Sequence, residues 1–336
     1  MSSVYSVYGL QVLADAPIPG LLPSNSAVDI DIRIWLNRMP SWWNNQSLSE
    51  DTEWYRSPRF GDTGQSRLTV WKLKGSWYRL LYFDGTEFLV DPHGGEVWSA
   101  LPPNAAVEDL GAYLVGPVMG FVLRLRGICC LHASAVRIGQ KIIAFSGPPH
   151  AGKSTTAAAF GKLGHPVVSD DITALVERDG AFLVQPGYPR LCLWPDAATT
   201  LYGPSHGLPR IVPEDGINNW WDKRYLDLAS AGYEFQTQSL PLSAIYLLDD
   251  RVEGAPSPTV EPVAASAALV KLAANTFMNY LLDPDLRSRE FEFLGRVVSR
   301  LPVRRVFPQS DPAGLPGLCE VILQDHAGLP DATPNA

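Results

Sequence analysis

The sequence is poor in cysteine and has no pair at C-x-x-C spacing. Only four cysteines occur among 336 residues: Cys129 and Cys130 are adjacent, and Cys192 and Cys319 stand alone. The spacing argues against a zinc site or a dithiol redox motif. We therefore expect each cysteine to be a small buried hydrophobic side chain.

Long apolar runs and an excess of positive charge are also missing. The longest mainly apolar run, residues 114–123, is too short to span a bilayer, and the first residues lack the basic and apolar segments of a signal peptide. The formal net charge is −8, which disfavours nucleic acid and anionic lipid as partners. We expect a soluble, cytoplasmic protein that binds neither.

The first part of the chain, residues 1–126, is predicted to be a smaller β-rich domain. Runs of β-branched and aromatic residues at 68–73, 78–83, 87–90 and 96–98 are joined by Asp-Gly and Gly-Gly turns, which predict an antiparallel meander. Seven of the ten tryptophans lie here. Most fit sheet packing, whereas Trp42 and Trp43 lie in a polar stretch and are the best candidates for a peptide-recognition surface.

Residues 127–326 are predicted to form an α/β domain, followed by a frayed tail at 327–336. Before it, residues 107–125 have helical periodicity, with Gly116-Pro117 as an interruption. Within it, strands are predicted at 129–138, 141–145, 166–169, 172–176, 181–184, 242–248 and 303–307, and helices at 155–163, 264–282 and 285–301.

A phosphate-binding motif lies between a predicted strand and a predicted helix of this domain. Residues 147–154 read G-P-P-H-A-G-K-S and match G-x-x-x-x-G-K-[ST] at every fixed position. Such a loop holds phosphates with inward-facing N–H groups and a helix N-terminus, while its lysine reaches the β- and γ-phosphates and its serine binds Mg²⁺. Pro148 and Pro149 have no N–H. The candidate ligands of ATP with Mg²⁺ are therefore Gly147, His150, Ala151, Gly152, Lys153, Ser154 and Thr155.

Paired carboxylates follow the next predicted strand, at Asp170 and Asp171, 17 and 18 residues beyond Lys153. Ligands of open α/β sheets bind beyond the carboxyl ends of strands, so one carboxylate could hold Mg²⁺ and another accept the proton of an attacking hydroxyl. Asp249 and Asp250 end another apolar run and are the second choice. His132, taken alone, fits a packed side chain better than a catalytic one.

The order and spacing of His132, the phosphate loop and the aspartates resemble HPr serine kinase/phosphorylase. The resemblance covers residues 131–136, 147–154 and 164–171 closely and the rest of the domain loosely. It implies a P-loop kinase core of the HPr-kinase type. It also implies that Asp170 is the general base, that Asp171 supports Mg²⁺ or positions the base, and that His132 lies near the transferred phosphoryl group.

One part of the family pattern is absent. The regulatory enzymes have an E-x-R-G-x-G stretch after the aspartates, whose glutamate helps to bind metal, whereas here residues 187–196 keep only Arg190 and offer Asp196. Phosphorolysis is therefore in doubt. Lys223 and Arg224 are further candidates for phosphate binding, or else ordinary surface residues.

The acceptor is predicted from the start of the chain. Residues 5–10 and 16–19 resemble HPr-kinase-related proteins of peptide-modification clusters, among them lasso-peptide precursor kinases. The resemblance implies a serine of a ribosomally made precursor peptide as substrate and peptide as partner. A carrier protein or small hydroxylated metabolite as acceptor, and a non-catalytic nucleotide-binding switch, are the alternatives. The regulatory family forms oligomers, which leaves a homo-oligomer open.

Overall fold

The chain forms two compact units in a computed structural model that describes residues 2–24, 29–43, 52–61, 64–73, 77–103, 105–212, 221–249, 258–309 and 314–330. The first unit comprises Met1–Gly127, Arg210–Asp222 and Tyr280–Leu282. The second unit comprises Ile128–Pro209, Lys223–Asn279 and Asp283–Ala336. The secondary structure is a mixture of helices and strands, as predicted.

The first unit is built on one sheet, in which eight of the described strands run in the order β1-β2-β3-β8-β7-β6-β5-β4. The pairs β2–β3 and β3–β8 are parallel and the others antiparallel, so the predicted meander corresponds to β5 to β8. The strands are β1 Ser3–Val7, β2 Leu10–Ala14, β3 Ile32–Trp35, β4 Thr52–Arg56, β5 Leu68–Lys72, β6 Tyr78–Tyr82, β7 Glu87–Val90 and β8 Glu96–Ala100.

One helical segment packs on this sheet through aromatic contacts. It runs as α1 (Val107–Tyr113), a π-helical stretch (Leu114–Val118) and α2 (Met119–Leu125). Pro117 has no N–H and cannot continue the α-helical ladder, which accounts for a wider turn at the predicted interruption. Tyr113 stacks on Tyr82 at a centroid distance of 3.8 Å, and Phe121 meets Tyr78 edge-on at 5.0 Å.

The tryptophans of the first unit mostly contact other aromatic rings. Trp35 stacks on Trp98 at 3.9 Å, as the packing prediction requires. Trp42 is 53% exposed and touches Trp43 and Trp77 edge-on. Residues 44–51 of the polar stretch lie outside the described residues, so its role in peptide recognition stays a prediction.

The second unit has a sheet whose described strands run in the order β10-β9-β12-β13-β16-β18-β17, with β11 paired to β9. Strand β16 also pairs in parallel with β10, the strand that leads into the phosphate loop. The strands are β9 Cys129–Ile138, β10 Lys141–Ser146, β11 Val167–Ser169, β12 Ile172–Arg178, β13 Ala181–Gln185, β16 Leu240–Leu248, β17 Thr259–Pro262 and β18 Val303–Phe307, and a separate two-stranded ribbon consists of β14 Arg190–Leu193 and β15 Arg224–Asp227.

Helices cover both faces of this sheet because neighbouring residues of its strands point to opposite sides. Phe145 of β10 packs with Phe160 of α3 and Ile322 of α7, whereas Ala144 packs with Leu272 of α5 and Val297 of α6. The helices are α3 Lys153–Lys162, α4 Pro195–Tyr202, α5 Ala265–Ala274, α6 Pro284–Arg300 and α7 Leu315–Ala327.

The helix predicted at 264–282 is wrong in its second half, since α5 ends at Ala274. The Asn275 side chain donates to the carbonyl of Lys271 at 2.8 Å and so caps a free carbonyl of the last turn. Beyond it, Tyr280 stacks on Tyr55 at 4.6 Å, and Trp54 Nε1 donates to the Leu281 carbonyl at 3.1 Å. These contacts place residues 280–282 in the first unit.

Candidate active site

The phosphate loop joins β10 to α3 and contains three residues with positive φ. They are Gly147 at 154°, His150 at 68° and Gly152 at 97°. A Cβ on Gly147 would lie 2.6 Å from the carbonyl oxygen of Leu248, at the end of the neighbouring strand β16. Only glycine combines this φ with such a close approach.

The Lys153 ammonium is buried and turned into the loop. Its Nζ donates to the carbonyl oxygens of Gly147 at 3.0 Å and Pro148 at 2.9 Å. The Ala151 amide also donates to Pro148, at 3.2 Å, and helps to close the loop. Because α3 begins at Lys153, the N–H groups of Lys153, Ser154 and Thr155 have no acceptor four residues back within the helix and suit an anion.

Asp170, between β11 and β12, is a buried carboxyl group held by two neutral donors. The Ser134 hydroxyl donates to Oδ1 at 2.6 Å, and the Cys192 backbone N–H donates to Oδ2 at 2.7 Å. Burial and the neighbouring Asp171 raise the pKa of Asp170, and these donors offset the shift only in part. A carboxylate whose pKa is raised in this way is a stronger base than an ordinary aspartate.

Asp171, the next residue, has a different environment. Its φ is 60°, its Oδ2 accepts from Lys223 Nζ at 3.3 Å, and its Oδ1 lies 3.9 Å from His132 Nε2. Burial alone would raise the pKa of Asp171, but Lys223, His132 and Lys153 outweigh it, so the net pKa is lowered. Asp171 is therefore the aspartate that stays ionised.

His132 lies beside Asp171 and the loop lysine, in edge-on contact with Phe277 at 5.9 Å. Burial and the charge of Lys153 lower the pKa of His132 to about 4, so the imidazole is neutral at pH 7. Burial also lowers the pKa of Lys153, and the charges of Asp171 and Asp170 offset part of this shift. The structure thus brings His132, Lys153, Asp170, Asp171 and Lys223 into one charged cluster.

The other predicted site residues lie on or near the β14–β15 ribbon. Arg190 places its guanidinium 4.1 Å from the Tyr225 ring centre, Arg224 pairs with Leu193, and Asp196 is exposed in the first turn of α4. The second-choice aspartate, Asp249, is engaged by Arg305 and, at 3.6 Å, by Lys271. Asp250 lies outside the described residues.

Three contacting residues of the site were missed by the sequence reasoning. They are Ser134, Cys192 and Trp194, whose ring stacks on that of His150. Ser134 could have been found, because it follows His132 by two residues on the same strand and so shares its face. Cys192 acts through its backbone, which no side-chain pattern reveals. Its thiol is buried, and its pKa is raised to about 12 by burial first and Asp170 second. All four cysteines are buried and none forms a disulfide, as predicted.

The donor atoms of the site suit Mg²⁺ bound together with a phosphate. Within the described ranges, no group of three or more His, Cys, Asp or Glu side chains could hold a metal by itself. Mg²⁺ prefers oxygen, retains several waters, and typically binds one or two carboxylates plus substrate phosphates. The hydroxyl of Ser154 and the ionised carboxylate of Asp171 are donors of that kind.

No helix in the described part of the chain is long and apolar enough to cross a membrane.

Comparison with known proteins finds similarity among solved structures alone. No family model and no curated protein matches this chain. Among the solved structures, 81 chains match, and one is the HPr(Ser) kinase/phosphatase from Coxiella burnetii. It has 12% sequence identity and a TM-score of 0.34 over 59% of this chain and 90% of that chain. A similarity this low does not by itself establish a shared activity.

Proposed function

We propose that this protein is an ATP- and Mg²⁺-dependent kinase that transfers the γ-phosphoryl group to a serine hydroxyl of a ribosomally made, lasso-type precursor peptide. The observation that supports it best is the cluster in which Lys153 of the phosphate loop lies beside Asp170 and Asp171. A phosphate-binding cation and two carboxylates of different character are the parts that phosphoryl transfer to a hydroxyl requires.

The phosphate loop would bind the nucleotide through groups that already converge on it. Lys153 would exchange the carbonyls of Gly147 and Pro148 for the β- and γ-phosphates, which are stronger acceptors because they are charged. Ser154 and Asp171 would hold Mg²⁺, which supplies charge neutralisation between the β- and γ-phosphate oxygens. Lys223 keeps Asp171 oriented and ionised.

Asp170 would be the general base. The serine oxygen forms its bond to the γ-phosphorus while the bond to the bridging oxygen of ADP breaks, and the serine proton passes to Asp170. Ser134 and Cys192 orient the carboxyl group without a charge of their own. The raised pKa makes Asp170 a stronger base than an ordinary carboxylate, which suits this role.

The peptide acceptor is supported by the resemblance of residues 5–10 and 16–19 and by a separate first unit that could bind it. A small hydroxylated metabolite would need no such unit, whereas a carrier protein could also bind it. A non-catalytic switch is favoured by one observation, the absence of the glutamate-containing glycine-rich stretch between residues 187 and 196. The kinase alternatives differ in the acceptor of the phosphoryl group, whereas the switch would bind ATP and transfer nothing.

The test is to incubate the protein with ATP, Mg²⁺ and the precursor peptide encoded beside its gene, and to measure the mass of the peptide. A gain of one or more phosphate masses is expected with the wild type and none with Lys153→Ala. Phe291→Ala is the control, because Phe291 is an exposed residue of α6. ATP binding without a mass gain would point first to another acceptor. ATP binding without phosphoryl transfer to any acceptor tried would favour the switch.

A further inference from the structure

The β14–β15 ribbon joins two distant stretches of sequence beside the phosphate loop. Arg190 pairs with Asp227 and Leu193 with Arg224 in an antiparallel register. The next residues in that register are Trp194 and Lys223, and Lys223 Nζ lies 5.7 Å from the centre of the Trp194 ring. The end of the ribbon therefore carries an aromatic ring and a cation side by side.

Each part of this ribbon end contacts a different part of the site. The Cys192 N–H binds Asp170, and Lys223 binds Asp171. The Trp194 ring stacks on His150 of the phosphate loop, with a centroid distance of 5.5 Å and an interplanar angle of 27°. One small element thus contacts the loop and both carboxylates.

We propose that Trp194 is a positioning residue for the phosphate loop: its ring holds His150, and with it the backbone of the loop, in the conformation that binds the phosphates. This role rests on the proposed function, because it presupposes that the loop binds ATP. Sequence patterns alone assign Trp194 no role.

The backbone of His150 explains why the loop needs such a support. Its φ of 68° is uncommon for a residue other than glycine and persists only where the surroundings hold it. Trp194 itself is fixed, because it is the N-cap residue of α4, between buried Leu193 and Pro195 at the start of the helix. A loop held in its binding conformation loses less conformational freedom when the ligand binds.

Trp194 is also suited to this role because it is not part of the core. Its side chain is 38% exposed, whereas Leu191 and Leu193 of the same strand are buried. Replacing Trp194 should therefore loosen the loop and leave the fold intact.

The experiment measures binding of Mg-ATP and of Mg-tripolyphosphate, which has no base, by titration calorimetry. Trp194→Ala should raise the dissociation constants of both ligands by about three- to tenfold. This range corresponds to the free energy that an aromatic pair contributes. Trp194→Phe, which keeps a ring, should recover most of the loss. Phe291→Ala, a second exposed aromatic residue of the same unit, should bind as the wild type does.

Each other outcome has a definite meaning. A loss for ATP alone would overturn the proposal in favour of a contact between Trp194 and the base, and unchanged binding of both ligands would overturn it outright. If Trp194→Ala unfolds, Trp194→Leu, which keeps apolar bulk and has no ring, must show the same loss. A wild type that binds neither ligand would refute the proposed function, whereas a wild type that binds both and an unaffected Trp194→Ala would refute this inference alone.

Discussion

Replacing Asp170 by asparagine should abolish phosphoryl transfer and preserve both the fold and ATP binding. The carboxyl group accepts from the Ser134 hydroxyl and the Cys192 N–H. An asparagine oxygen can still accept from Cys192, while its NH₂ group donates to the Ser134 oxygen, because a hydroxyl can act as donor or acceptor. The variant therefore keeps two hydrogen bonds and loses the negative charge together with the capacity to take a proton.

The expected magnitudes differ for stability and for rate. Because the pKa of Asp170 is raised in the folded state, the ionised form disfavours folding, and stability falls as the pH rises through that pKa. Removing the charge should therefore leave the variant at least as stable as the wild type at pH 7. Loss of a general base lowers the rate by about 10²- to 10⁴-fold.

The assay compares initial rates of peptide phosphorylation, ATP dissociation constants and unfolding free energies for the wild type, Asp170→Asn and Ser134→Ala. Ser134→Ala removes one donor and keeps the carboxyl group, so its rate should fall much less. Normal turnover in Asp170→Asn would refute the base assignment. A loss of ATP binding in parallel with the rate would place Asp170 in nucleotide binding instead.

Three further predictions test neighbouring residues. The pKa of His132 is about 4 when folded against 6.5 in its ordinary state, so the stability present above pH 6.5 should be lost as the pH falls towards 4, by roughly 3 kcal/mol. His132→Gln should remove that loss in urea unfolding curves, and a pH-independent difference from the wild type would contradict the reasoning. Gly147→Ala should destabilise the protein by about 1–3 kcal/mol and weaken ATP binding, because the new Cβ would lie 2.6 Å from the Leu248 carbonyl oxygen. A normal melting temperature together with normal ATP affinity would contradict this prediction. Asp249→Asn should keep transfer within a few-fold of the wild type, because Arg305 already engages this carboxylate, and a loss as deep as that of Asp170→Asn would move the catalytic role to Asp249.

Local sequence patterns predicted the elements that surround the loop. The β9–β10 hairpin, α3 and the β12–β13 hairpin lie where turn residues and apolar periodicity indicate them, because their signals span only a few neighbouring residues. The end of α5 was not predictable in this way. Apolar residues continue beyond its alanines to residue 282, but Tyr280 and Leu281 make tertiary contacts that override helix propensity.

The site was predictable only as far as motifs reach. The phosphate loop and the paired aspartates follow short fixed spacings, whereas α4, α7 and the β14–β15 ribbon were missed altogether. The ribbon pairs Leu193 with Arg224 across 31 positions of sequence, and only the folded register decides that Trp194 meets His150. Asp249 is far from the phosphate loop along the chain, although the strand before it, β16, directly neighbours β10.

The sequence is least informative about which of the two adjacent aspartates is the base and which is the metal ligand. Successive residues of the same type were interchangeable as base and metal ligand, yet the backbone at Asp171, with φ of 60°, gives the two carboxyl groups different partners. Asp170 has neutral donors and a raised pKa, while Asp171 faces Lys223 and has a lowered one. When the environment separates the pKa values of two carboxyl groups in this way, the group with the raised pKa is the better proton acceptor. The group with the lowered pKa is the better cation ligand. The environment of each carboxyl group, rather than its place in the motif, thus supports Asp170 as base and Asp171 as magnesium ligand.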